Sequence, residues 1–235
     1  MENNSWKFAT FVLGGVIVGY FIAQANPSAL MGDIAALEEN TKVIEVEVGD
    51  TVEETVPEMV EVTADDDSVL GNVNAPIEII EFSDYQCSYC QRFHVSTFPD
   101  LKENYIDTGK VKFIYRDYPL TFHANAMPAA AAAECAGDQD MYYEMQDVIF
   151  VNLNEWSSSP EADQLFATYA TELGLDIAEF ESCYASEEVQ EEIKGDMRDG
   201  ITAGVRATPT FFINGQKLEG AQPYSVFESV LESML

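Results

Sequence analysis

The chain has 235 residues, which suits one globular domain with appendages or two small domains. Its hydrophobic share of 47% is ample for a packed core. A formal net charge of -31 argues against nucleic acid as a partner and disfavours anionic membrane surfaces, since both need clustered Lys and Arg.

Residues 8–25, from Phe8 to Ala25, carry no charge and follow a single basic side chain, Lys7. As a helix they would span about 27 Å, just short of a hydrocarbon core of about 30 Å. Two readings are open. Residues 1–25 are either an uncleaved membrane anchor or a signal peptide removed after Ala25, where Ala23-Gln24-Ala25 gives small residues at a cleavage position. We read an anchor, because the tract that follows suits a stalk. Either way the remainder is expected to be extracytoplasmic.

Residues 26–70 form that tract. From Asp33 to Asp67 there are 13 acidic residues, one basic residue (Lys42) and no aromatic. Such a composition cannot offset the entropy of ordering, so a disordered, self-repelling linker is expected. The alternation Val43–Val48 leaves open an added edge strand.

The compact domain is expected over residues 71–235. Ile77–Phe82 and Lys110–Tyr115 read as strands, with one helix from Cys87 to about Tyr105 between them. Four helical stretches follow, Ala124–Ala136, Asp140–Val151, Ala162–Leu173 and Ile177–Ala185, then a helix from about Glu187 to Ala203. Thr210–Ile213 and Gln216–Leu218 read as a hairpin, because Asn214-Gly215 is a strong two-residue turn signal. A last helix starts after Pro223. This order predicts an α/β fold with a helical insertion at about residues 123–186.

Cys87 and Cys90 stand in C-x-x-C spacing at the start of a helix. Residues three apart in a first turn face each other, close enough for their sulfurs to bond. Cys87 meets the unpaired N–H groups and positive dipole end of the helix, which lower a thiol pKa to about 3.5–7.5. Cys87 is therefore the candidate nucleophile and Cys90 the resolving thiol. The alternatives are a static disulfide or half a zinc site. His94 offers a third zinc ligand but no fourth suggests itself, so no metal is expected. Cys135 and Cys183 both fall in the insertion, and in an exported chain with four cysteines they are read as a structural disulfide, against two buried thiols. The two histidines, His94 and His123, are read as packing or surface residues.

The C-x-x-C at a strand-to-helix turn, together with Ala207-Thr208-Pro209-Thr210-Phe211-Phe212, resembles the thioredoxin fold. The long helical insertion, Phe82-Ser83-Asp84-Tyr85-Gln86-Cys87, Phe122-His123-Ala124-Asn125-Ala126 and Gly215-Gln216-Lys217-Leu218-Glu219-Gly220-Ala221 resemble its DsbA-like branch of exported thiol oxidases. The resemblance covers about Gly71 to Leu235. It implies a cis Pro209 that sets the Thr208 backbone beside the sulfurs, and a buried carboxylate at Glu81 that relays a proton to or from Cys90. Ser88 and Tyr89 would set the field around Cys87. That branch often carries histidine where this chain has Tyr89, so a less depressed thiol is expected here. It further implies no bound cofactor, unfolded or reduced exported proteins as substrates, and a membrane redox partner for re-oxidation. The expected activity is insertion of disulfides. A reductase or isomerase of the same fold, or a non-catalytic peptide-binding holdase, remains open.

Overall fold

The computed structural model describes residues 62–65 and 67–235, together with the backbone of two short strands, β1 (Val12–Leu13) and β2 (Val16–Ile17). These two pair antiparallel, so those four residues are extended where a helix was expected. The rest of the expected anchor, its cleavage position and the linker up to residue 61 lie outside the described residues. No helix among the described residues is long and apolar enough to cross a membrane.

A five-stranded sheet forms the frame, in the order β3 (Val69–Gly71), β5 (Val111–Asp117), β4 (Ile77–Ser83), β6 (Thr210–Ile213), β7 (Gln216–Glu219). β4 runs parallel to β5, and every other neighbouring pair is antiparallel. A parallel pair needs a crossover. Here it is α1 (Ser88–Ser96), α2 (Phe98–Leu101) and a π-helical turn over Lys102–Ile106. A single helix to Tyr105 was expected, and Pro99 is why there is a break. Within a continuous helix it would leave the carbonyl four residues back without a donor and press its ring against it, so the chain restarts with proline in the first turn of α2.

Both faces of β4 are covered. Ile77 and Ile79 join the larger core under α1 and the insertion, and Ile80 and Phe82 join a smaller cluster with Ile114, Val205 and Phe212. Alternation along the strand therefore sends Glu81 and Ser83 to the α1 side.

The insertion between β5 and α8 (Glu187–Thr202) contains α3 (Ala126–Gly137), α4 (Tyr142–Val151), α5 (Leu153–Trp156), α6 (Ala162–Leu173) and α7 (Ile177–Tyr184). Ala129–Ala133 are all buried, and their small side chains let α3 lie against α4, α6, α7 and α8 at once. Cys135 on α3 is disulfide-bonded to Cys183 on α7, with 5.6 Å between their Cα atoms. α8 comes so near the sheet that a Cβ on Gly200 would sit 2.7 Å from the Tyr118 ring. Asn214 and Gly215 both take positive φ, as a type I′ hairpin turn requires. α9 (Tyr224–Glu232) closes the larger core with Phe227 and Leu231.

The fold begins before Gly71. The residues expected to end the linker supply the edge strand β3, and the acidic run just ahead of it meets a buried cation. Arg116 is buried and pairs with Asp67 (2.9 Å), Asp196 and the more exposed Asp199 (3.2 Å), and donates to the Thr63 carbonyl at 3.2 Å. Burial, then the charge of Asp196, push the Asp67 carboxyl up to about 9, against the pull of the Arg116 guanidinium. The arrangement is a thioredoxin fold carrying a helical insertion.

Candidate active site

β4 ends at Ser83, and a three-residue loop delivers Cys87 to the N-cap of α1. No side chain caps this end, which leaves its backbone donors to the sulfur. Cys87 and Cys90 are both free thiols. The Cys87 thiol is lowered from its ordinary 9.0 to about 5. The largest cause is a hydrogen bond from the Cys90 thiol, opposed by burial. Backbone hydrogen bonds from Cys90 and Tyr89, and the nearby Thr208 side chain, lower it further. The Thr208 carbonyl lies 3.7 Å from the Cys87 sulfur, and the Thr208–Pro209 peptide is cis.

Cys90 is the opposite case. It is fully buried, and burial first, then the thiolate beside it, push its thiol well above 9.0. One sulfur of the pair is thus poised as an anion and the other keeps its proton.

Glu81 is buried beneath the pair, 3% exposed, with the aromatic residues Tyr115 and Phe211 as its neighbours across the two adjoining strands. Burial raises its carboxyl from 4.5 to about 8, partly opposed by a hydrogen bond from Ser83, whose Oγ stands 2.7 Å from Oε1. Ser88 and Tyr89 are exposed. Tyr89 brings no charge of its own, and it holds the Arg92 guanidinium 4.8 Å from its ring centre.

The structure therefore brings Glu81, Cys87, Ser88, Tyr89, Cys90, Thr208 and Pro209 to one end of the sheet, and leaves Cys135 and Cys183 bonded to each other in the insertion. Residues that carry no role in the sequence reading position this site. Asp84 is buried and accepts from the Gln86 amide (2.7 Å) and the Leu120 amide (2.7 Å), and its Oδ2 lies 2.8 Å from His123 Nδ1. Gln86 spans to the insertion, donating to the Ser157 carbonyl and accepting from the Asn125 amide, each at 2.8 Å. Asn125 in turn donates to the carbonyls of Trp156 and Ser159. The available signal was a polar Asp and Gln just before Cys87; their partners stand far away in sequence. His94 packs between Phe98 and Phe150, with Nε2 2.8 Å from Asp147. Among the described residues no group of three or more His, Cys, Asp or Glu is arranged to hold a metal.

A family model described as thioredoxin matches residues 63–233. Among solved structures, alpha-DsbA1 of Wolbachia pipientis superposes with a TM-score of 0.66 at 29% identity, covering 72% of this chain and 91% of that one. DsbA of Chlamydia trachomatis, at 24% identity and a TM-score of 0.65 over 76% of this chain and 97% of that one, shares the fold. The chain is also 34% identical over 169 residues to the Na(+)/H(+) antiporter NhaA 3 of Salinispora tropica, a match of 72% of this chain. It spans only 24% of that relative's length. With a thioredoxin model over most of its length and the C-x-x-C, cis proline and helical insertion in place, the chain belongs to the thioredoxin family, among the DsbA-like thiol–disulfide oxidoreductases.

Proposed function

We propose that this protein is an exported thiol–disulfide oxidoreductase that introduces disulfides into extracytoplasmic proteins through Cys87 and Cys90. The observation that carries the reading is the division of the pair: a Cys87 thiol lowered to about 5 beside a Cys90 thiol pushed far up by burial. A stabilised thiolate favours the reduced form, and a protein that prefers to be reduced gives its disulfide away.

In the oxidised protein, a substrate thiolate attacks Cys87, the Cys87–Cys90 bond breaks, and Cys90 leaves with the electron pair. A second substrate thiolate then attacks the substrate sulfur held in the mixed disulfide. The substrate disulfide forms and Cys87 leaves as a thiolate. Two electrons have passed to the protein, and a membrane redox partner would remove them. The Thr208 backbone beside Cys87 supports docking of an extended substrate as an added strand. In this reading residues 1–25 anchor the domain and the acidic stretch that follows spaces it from the membrane.

The test is the reduction potential of the pair in the full chain, titrated against glutathione. A value above about -200 mV supports an oxidase, and one near thioredoxin's -270 mV or so makes the protein a reductase. Full cellular activity of a Cys87→Ser variant would favour a binding module instead.

A further inference from the structure

Once a substrate sulfur is joined to Cys87, the next proton belongs to Cys90, and Cys90 has no exposed surface. A thiolate leaving into such a site is costly unless a donor inside the protein meets it. Glu81 and Ser83 stand two apart on β4, so both point to the side that α1 covers. Ser83 is fully buried, its Oγ donates to Glu81 Oε1 at 2.7 Å, and its hydroxyl acts on the Cys90 thiol as well, holding it lower than burial alone would. No Lys or Arg among the described residues offsets the burial of Glu81, so the carboxyl is largely neutral at pH 7 and has a proton to give.

Resting on the oxidoreductase reading above, we infer that Ser83 is the proton-transfer residue between Glu81 and Cys90. At rest the Ser83 hydroxyl donates to Glu81; rotated toward the Cys90 sulfur, it can hand that proton to the sulfur as it accepts one from the protonated Glu81. In the oxidising direction the Cys87–Cys90 bond breaks, the electron pair stays on Cys90, the Ser83 proton moves to that sulfur and the Glu81 proton replaces it. Glu81 is left as a carboxylate and regains its proton from solvent after turnover. In the reverse direction Cys90 attacks Cys87 as its proton returns through Ser83 to Glu81. The resting reduced protein does not use this route, because there the Cys90 thiol donates to the Cys87 thiolate. Tying Cys87 into a mixed disulfide removes that acceptor and turns Cys90 toward Ser83. The competing account is that Ser83 only satisfies a buried carboxyl.

Single-turnover oxidation of a dithiol peptide by the full chain separates the two, measured across pH for the unchanged protein, Ser83→Ala, Glu81→Gln and the double variant. General acid catalysis of this kind contributes about a hundredfold or more, and partial replacement by water leaves an expected slowing of about tenfold or more for Ser83→Ala. The double variant should be no slower than Glu81→Gln alone, because both substitutions cut one route. The pH dependence of Cys87 alkylation in Ser83→Ala should not move, because the Cys90 thiol still donates to the Cys87 thiolate there. In the unchanged protein the turnover should slow in heavy water more than exchange between free thiols does. A Ser83→Ala profile that overlays the original, independent effects that multiply in the double variant, or no excess isotope effect would each overturn the inference. If the unchanged protein exchanges no thiols at all, it is the oxidoreductase reading that falls.

Discussion

His123 Nδ1 lies 2.8 Å from Asp84 Oδ2 across 39 residues of chain, joining the loop before Cys87 to the loop that opens the helical insertion. The same carboxylate accepts the amides of Gln86 and Leu120. Asp84→Ala would strand two backbone donors and is expected to cost on the order of 2–4 kcal/mol. His123→Ala leaves both amides satisfied and should cost about 1 kcal/mol. Denaturant melts of the two variants check this, and equal losses would contradict it.

Alkylation of Cys87 should rise with pH about a midpoint near 5. Its folded pKa lies below the ordinary 9.0, so the reduced protein gains stability that is fully present above pH 9 and lost as pH falls through about 5. The oxidised protein has no thiolate and no such gain. Melting both forms across that window should show the gap between them widening with pH; a constant gap would refute the assignment. A thiol near 5 lies between thioredoxin's, about 7, and DsbA's, about 3.5, so the potential is expected between about -270 and -120 mV.

Glu81 runs the other way. Its folded pKa is about 8 against 4.5, so the stability it allows is complete below pH 4.5 and is lost as pH rises through about 8. Glu81→Gln should therefore stabilise the fold by on the order of 3 kcal/mol at pH 7, and by almost nothing at pH 4. Thermal melts at the two pH values decide it, and a gain of the same size at both would show that the carboxyl is not neutral when buried.

Replacing both Cys135 and Cys183 by Ala removes a link across a sequence separation of 48 residues. The chain-entropy model puts the loss at about 4 kcal/mol. Because the bridge joins α3 to α7 and touches neither thiol, the alkylation midpoint of Cys87 should stay where it is. A shifted midpoint would mean that the insertion's packing reaches the active thiols.

The parts of this molecule that were legible in the sequence are those set by local chemistry. Hydrophobic runs gave β4 and β5, Asn214-Gly215 gave the hairpin, and the C-x-x-C spacing marked the end of the sheet where the chemistry lies. Pro99 was equally visible, yet its break was missed because the apolar pattern runs on past it. Partners distant in sequence were not legible. Nothing in Asp84 or Gln86 announces Leu120 or Ser157, and the short β3 looked like the end of an acidic tract. An excess of carboxylates reads as solvated, and only the fold shows that Asp67 and Asp196 are drawn out of water beside Arg116.

That cluster also sets how far the polypeptide can be trimmed. A version starting at Gly71 would delete Thr63, Asp65 and Asp67 along with most of β3, leaving Arg116 to Asp196 and Asp199 and baring the hydrogen-bonding edge of β5. An uncovered strand edge is a template for another chain. A version starting at Val62 keeps that edge occupied, so the two should part company on storage: the longer staying monomeric, the shorter self-associating strand to strand.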